Sequence, residues 1–435
     1  MFNYQYRVFN KSFLFRVPLL FLCFYLSGLN IINCQSIKQY ILDSAKPVKS
    51  IDIKDTVDTD LEQIGKAIGD RHIVMLGELD HGDGSAFRAK SRIIKYLHEK
   101  KGFNVLAFES DFFAVNLGWD DVANNKAIID TMLKSTIYPI WSYCDACMPL
   151  FKYIKQEAEN KTPLIVAGID NQLQTGYTLK YLAQSLKSYL DTSNIQFITT
   201  KSYDRFLNLS NKIPYLRTEK DMPKLDSLIF FTQTILLQLT NKKNNDLITQ
   251  TLKNIIAFSV QARYFWSHNR DYFNSNNIRD SAMTDNLKWL LTQKYKGSKI
   301  IVWAHDGHIN KNDEDLYIKE PVTMGYLFTK DSVLKNETYI LGFTAYAGKS
   351  MFTTIQKLSK VSIPPRESIE RWLFSKGFQT AFIDFIPFNR LYPDNYEKYY
   401  MKTYLSSLKK SYWHKKYDGV FFISEMVPCK VFNWQ

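Results

Sequence analysis

The sequence is short of the residues that build several protein classes. Five cysteines in 435 residues are too few for a disulfide-built scaffold. Seventeen glycines and 13 prolines are too few for a collagen-like or low-complexity chain. No internal repeat occurs. Lys and Arg outnumber Asp and Glu by 56 to 43, but the charges are spread along the chain. No zinc-finger, basic-zipper or RNP-like motif accompanies them, so nucleic acid is not the expected partner. There is no Gly-x-Ser-x-Gly nucleophile elbow and no His-Glu-x-x-His zinc motif. Gly82-x-Gly84 is not a dinucleotide fingerprint, because Phe87 stands at the third glycine position.

What is present is an ordinary globular composition, 45% apolar and 15% aromatic, in a chain long enough for a large core. Residues 1–34 read as an export signal. Arg7, Lys11 and Arg16 form a basic start with no acid, and Val17–Leu26 is an apolar run of signal-peptide length. An uncleaved membrane anchor is the alternative. Ile31-Ile32-Asn33-Cys34 loosely resembles a lipoprotein box, so a lipid anchor at Cys34 and plain cleavage nearby both stay open. Removing the three basic residues lowers the formal charge from +13 to +10. The mature protein, residues 35–435, is expected outside the cytoplasm, in the periplasm or lipid-anchored at the cell envelope of a bacterium. Membrane contact is expected only through Cys34. Cys144-x-x-Cys147 lacks the βαβ context of a redox pair and the second pair of a zinc site, and is expected to be a local loop feature.

Seven short apolar runs recur at 73–76, 105–108, 164–167, 300–303, 339–342, 381–383 and 420–423. Each is continuous, as in strands buried on both faces. Helical patterns separate several of them, at Phe87–Lys101, Val115–Lys134 and Leu150–Asn160. From 176 to about 295 strand signals become rare and long helical patterns take over. The expected fold is α/β: a mainly parallel β-sheet core flanked by helices, with a long helical insertion between the third and fourth core strands. That insertion would cap one sheet end, with Tyr264, Phe265 and Trp266 as apolar cleft wall or ordinary core.

Four of the runs end in chemically capable residues: Gly77-Glu78-Leu79-Asp80-His81-Gly82, Glu109-Ser110-Asp111, Gly168-Ile169-Asp170-Asn171-Gln172 and Ala304-His305-Asp306-Gly307-His308. In a parallel sheet these ends share one edge, where ligands bind. Glu78 and His81, three apart in a glycine-flanked turn, can form a carboxylate–imidazole pair that fixes the tautomer and raises basicity. Glu109, read as coming from the neighbouring strand, could do the same or bind a substrate hydroxyl. His305-x-x-His308 could hold a metal, or combine a catalytic acid with a structural residue. Lys90 and Arg92 lie on the helix after the His81 loop, where a solvated face is the bland alternative. Arg279-Asp280 is read as a helix start, with Asp280 a cap and Arg279 pointing outward or back to an oxyanion. His98 and His414 sit among lysines and look like surface residues.

In this order the motifs resemble the erythromycin esterase family. The resemblance rests on Gly77–Gly82, Tyr96-Leu97 with Gly102-Phe103, the strand ending at Glu109, and Arg279-Asp280-x-x-Met283-x-x-Asn286. It continues through Trp303–His308, Met324-Gly325 and Leu341–Thr344, spanning Ile73 to Gly348. Two departures add acids. Leu79-Asp80 stands where the family usually has Ala-Thr or Pro-Thr, and Asp306 replaces its usual Asn. The resemblance implies a hydrolase that opens the lactone of macrolides such as erythromycin, giving resistance. His81 would activate water, with Glu78 and Glu109 positioning it and His305 and His308 assisting the oxyanion or leaving alkoxide. Lys90, Arg92, Arg279 and Asp170 would serve substrate and oxyanion binding. This scheme requires no cofactor, although a divalent metal stays open. Its partner is a small-molecule macrolide or other ester. The alternatives are an exported esterase for another ester and a non-enzymatic metal- or haem-binding lipoprotein.

Overall fold

Each of the seven apolar runs becomes a strand of one sheet. The computed structural model of the protein describes residues 35–240, 246–311, 322–352 and 354–434, so the expected export signal and Cys34 lie outside the described residues. Its strands are β1 (Lys46–Pro47), β2 (Ile73–Leu76), β3 (Phe103–Asp111), β4 (Ile165–Asp170), β5 (Lys299–Trp303), β6 (Thr338–Phe352), β7 (Lys357–Val361), β8 (Thr380–Asp384), β9 (Tyr399–Thr403), β10 (Ser407–Ser411) and β11 (Gly419–Met426). The main sheet runs β1-β8-β11-β6-β2-β5-β3-β4, with β7 paired to β6, while β9 and β10 form a separate ribbon. The six strands from β11 to β4 are all parallel to their neighbours; β8, β1 and β7 are antiparallel additions.

The central strands alternate between two apolar layers. Val74, Leu76, Leu106, Phe108, Ile301 and Trp303 pack on one face. Ile73, Met75, Val105, Ala107, Ile300 and Val302 pack on the other. Helices cover both layers, so every side chain of β2 is buried, and a strand buried on both faces must read as one apolar run. Between β4 and β5 the described residues form helices and no strand, the longest being Gly176–Thr192, Met222–Thr240, Leu247–Ser267 and Tyr272–Trp289. Leu182, Leu186 and Leu190, four apart on one helical face, start a third core that also takes Phe206, Leu228 and Ile255. No helix among the described residues is long and apolar enough to cross a membrane.

Several local expectations are corrected. The Val115–Lys134 pattern is two helices, Phe112–Asn124 and Ile129–Thr136, because Asn125 takes an extended backbone and its side chain accepts from the Ala127 N–H. The helix read as starting at Arg279 starts at Tyr272, capped by Asp271, which places Arg279 and Asp280 in its interior. The Cys144-x-x-Cys147 feature is not merely local. Cys144 is bonded to Cys429, 285 residues away, and Cys147 is a buried thiol. His414 is buried, not a surface residue: its Nε2 meets the Asn395 carbonyl at 3.1 Å, and burial pushes the imidazole down to about 4.

Two glycines let the loop after β2 sit where it does. A Cβ on Gly77 would lie 1.7 Å from Asp306 Oδ1, and one on Gly82 would lie 1.9 Å from the Met351 carbonyl. Only a residue without a side chain allows both approaches.

Candidate active site

The sheet order decides which polar strand ends meet. β5 lies between β2 and β3, so the His305–His308 turn falls between Glu78 and Glu109. Glu109 is therefore not on the strand next to Glu78, and it does not hold His81. Two clusters form, one on each side of His305.

The first is built on β2. Glu78 is fully buried. Its Oε1 meets His81 Nδ1 at 3.0 Å and accepts from Trp141 Nε1 at 3.0 Å, and its Oε2 accepts from Lys90 Nζ at 2.7 Å. Lys90 is likewise buried and lies 4.0 Å from the centre of the Trp303 ring, far from the solvated face considered for it. Burial pulls its ammonium below the usual lysine range, and Glu78 acts against that pull. A proton on His81 Nδ1 directed to Glu78 leaves Nε2 as the ring's acceptor, and no hydrogen bond among the described residues engages it. The His81 side chain is about one-fifth exposed, whereas Glu78 is closed off. A partly exposed imidazole on a buried carboxylate is an arrangement suited to a general base.

The second cluster is built on β3, β4 and the Tyr272–Trp289 helix. Arg279 forks onto Asp170, with Nε to Oδ1 at 3.0 Å and Nη2 to Oδ2 at 2.7 Å, and Nη2 also reaches Glu109 Oε1 at 2.6 Å. Tyr138 donates to Asp170 Oδ2 at 3.1 Å. His308 lies between Asp280, 2.9 Å from Nδ1, and Glu109, 3.3 Å from Nε2. Burial works against its proton, but Asp280 and Glu109 outweigh it and push the imidazole up to about 10. Arg279 Nη1, 3.2 Å from the same Nε2, opposes that proton. Burial alone would raise Glu109, yet His308 and Arg279 hold it well below the usual carboxylate range. Asp280, read from sequence as a cap, is this cluster's missed member. Its helix phase with Arg279 and the turn of His308 places it there, and no linear spacing signals that.

His305 separates the two clusters and is fully committed. Its Nε2 meets the Leu79 carbonyl at 2.8 Å, its Nδ1 accepts from the Gly307 N–H at 2.9 Å, and its backbone N–H donates to Glu109 Oε2 at 2.9 Å. These partners fix the neutral Nε2–H tautomer, and burial together with His81 holds the ring well below its usual range. Both ring nitrogens of His305 are thus bonded to backbone groups in this structure. Arg92 is not brought to the site. It is buried 2.8 Å from Asp60 and also donates to the Ser50 and Val57 carbonyls, so it ties the helix to the N-terminal loop. Tyr264, Phe265 and Trp266 are half-buried; Tyr264 stacks on His268 and Phe265 packs edge-on to Trp266.

Among the described residues, one set of three potential metal-ligating side chains converges, Cys144, Asp145 and Cys429, and its two sulfurs are bonded to each other. The two clusters instead spend their carboxylates on Lys90, Arg279 and His308.

The erythromycin esterase family model matches residues 98–426, three-quarters of the chain. The chain belongs to the erythromycin esterase family. The stretch matched by the family model holds Glu109, Asp170, Arg279, Asp280, His305 and His308. YbfO of Bacillus subtilis (strain 168), provisionally named a hydrolase, is 27% identical over 410 residues, covering 88% of this chain and 90% of YbfO. Erythromycin esterase type II of Escherichia coli is 22% identical over 429 residues, covering 91% of this chain and 99% of that enzyme. A mutant of the erythromycin esterase EreC in its open conformation superposes with a TM-score of 0.68 at 15% identity, over 90% of this chain and all of that one, and so shares its fold. Membership in the erythromycin esterase family makes the chain a hydrolase of the esterase type.

Proposed function

We propose that this esterase opens the lactone of a macrolide such as erythromycin, by direct attack of water and without a covalent enzyme intermediate. The observation that carries the reading is the His81–Glu78 pair, with Nδ1 tied to a buried carboxylate and the imidazole itself partly exposed. His81 Nε2 takes a proton from water as the oxygen adds to the ester carbon. Negative charge then develops on the carbonyl oxygen, and His308 and Arg279, each about one-tenth exposed beyond His305, are the groups proposed to face it. As the ring C–O bond breaks, the proton on Nε2 passes to the leaving alkoxide, and the product is an open hydroxy acid carrying one added water. The scheme requires no cofactor. Opening the ring would inactivate the antibiotic and so protect the host cell.

The basic, acid-free leader supports export to the periplasm or, through a lipid at Cys34, to the envelope. The Cys144–Cys429 disulfide supports the same reading, because such bonds persist in oxidising compartments. The test is mass spectrometry of erythromycin incubated with purified residues 36–435, beside His81→Ala. A gain of one water with the wild type alone is expected. No gain with either would overturn the macrolide reading and direct the search to other esters.

A further inference from the structure

Glu78 has a third partner that the hydrolytic scheme does not use. The Trp141 indole donates to the same Oε1 that meets His81 Nδ1, at the same 3.0 Å. The Trp141 ring is fully buried, stacks on Tyr138 and lies edge-on to His81, with ring centres 5.5 Å apart. Its backbone is fastened three residues later. Cys144 is bonded to Cys429, and the C-terminal segment around Cys429 is stitched both to the His81 loop and to the Trp141 segment. On one side, Cys429 N–H donates to Gly82 O at 2.9 Å, and Val427 N–H to Ser85 Oγ at 2.9 Å. On the other, Asp145 N–H donates to Lys430 O at 2.9 Å, Phe432 N–H to Tyr143 O at 2.7 Å, and Trp434 Nε1 to Ser142 O at 2.7 Å. One covalent bond thus joins the segment carrying Trp141 to the strap that packs on the catalytic loop.

We propose that Trp141 is a positioning residue for the Glu78–His81 pair and that the Cys144–Cys429 disulfide holds it in place. This rests on the reading of His81 as the base. A carboxylate oxygen shared by two donors is fixed in rotation, and its charge is divided between them. The indole N–H therefore sets both the aim of Glu78 and how much of its charge reaches His81. The titratable groups facing the pair are Lys90 from the helix, Glu109 from β3, His305 and Asp306 from the turn after β5, Cys147 beyond the disulfide, and Asp80 and Asp83 in its own loop.

Trp141→Phe keeps a buried aromatic ring and removes the N–H. With erythromycin as substrate, kcat should fall about tenfold while KM stays within about twofold, the effect of losing an aligning bond and not a binding one. The acid limb of kcat/KM should move to higher pH, because Glu78 then gives its charge to His81 alone and favours the imidazolium. A packing defect would lower the active fraction without moving that limb. A second measurement needs no turnover. The Trp141 indole signal in a ¹H–¹⁵N spectrum, assigned by its loss in Trp141→Phe, should lie downfield and exchange slowly. It should move upfield in Glu78→Gln, and it should exchange at least about tenfold faster in Cys144→Ser/Cys429→Ser. An indole signal indifferent to both changes, or an acid limb unmoved in Trp141→Phe, overturns the proposal. If Trp141→Phe does not fold, the other two variants decide by the same signal, assigned by selective labelling. If erythromycin is not turned over by the wild type, the macrolide reading fails while the indole signal still decides this one.

Discussion

Replacing Lys90 with methionine tests whether the first cluster is held together by one buried ion pair. Lys90 Nζ and Glu78 Oε2 are 2.7 Å apart with both side chains fully buried. At an effective dielectric of about 20 their attraction is roughly 6 kcal/mol, and the desolvation of both ions offsets much of it. Removing only the cation is different, because it leaves a carboxylate buried against Trp141 and His81 with no counter-ion. One-sided breakage of this kind costs about 3–5 kcal/mol. Methionine keeps the apolar stem against Trp303, so little of the loss comes from packing. The stranded Glu78 should relieve the cost by taking up a proton, and a protonated Glu78 no longer supports the His81 imidazolium. Urea unfolding of Lys90→Met should therefore show a loss of about 3–5 kcal/mol, and kcat should fall by about 10² or more. In Lys90→Met/Glu78→Gln the neutral amide needs no counter-ion, so stability should recover toward wild type while activity stays low. A Lys90→Met protein within about 1 kcal/mol of wild type in stability and with near-normal kcat would refute the reasoning. So would a double variant less stable than Lys90→Met.

Asp306 carries a carboxyl that burial raises to about 8, with the Phe343 N–H and Lys90 acting against the shift. Its folded-state value lies above the unfolded one, so its contribution is full below about pH 4 and is lost as pH rises through about 8. Asp306→Asn should flatten the fall in stability between pH 5 and 8.5, read from urea midpoints at the two pH values. His308 is also raised, to about 10, so the stability it supplies is full below about pH 6.5 and disappears as pH passes 10. His308→Gln should accordingly destabilise the protein at pH 7 by more than at pH 10.5 in the same assay. Arg92→Met breaks the buried pair with Asp60, away from the cleft, and should lower stability by about 3–5 kcal/mol while kcat per folded molecule stays at the wild-type value.

The strands were legible because burial on both faces leaves no room for polar residues until the strand ends, and there the polar residues stand out. Whereas Lys90 and Arg279, on helices, were drawn in by the family resemblance, Glu78, His81, Glu109, Asp170, His305 and His308 could all be placed at one sheet edge on that ground. Their pairing could not, because pairing depends on strand order and strand order is not written in any one segment. With β5 between β2 and β3, Glu109 is carried away from His81 and given to Arg279 and His308. Asp280 and Trp141 were hidden for a related reason: each acts across the fold, 28 and 63 residues from the group it holds. The disulfide partner of Cys144, 285 residues away, is the extreme case.

The same strand order explains the division of charge at the site. His305 has both ring nitrogens bound to backbone and stands with its ring centre 5.1 Å from His81 and 6.4 Å from His308. A ring that can neither accept nor release a proton is a spacer between two that can. A cationic His308 in direct contact with His81 would suppress proton uptake by the base, whereas one ring away it can still face an oxyanion formed in the cleft. His305→Asn, by opening that spacer and freeing the Leu79 and Gly307 backbone groups, should lower kcat more than the loss of one hydrogen bond would. It should also shift the acid limb of the pH–rate profile to lower pH, as His308 and His81 come to repel each other's protons. An unchanged limb would show that the two clusters are insulated by something other than His305.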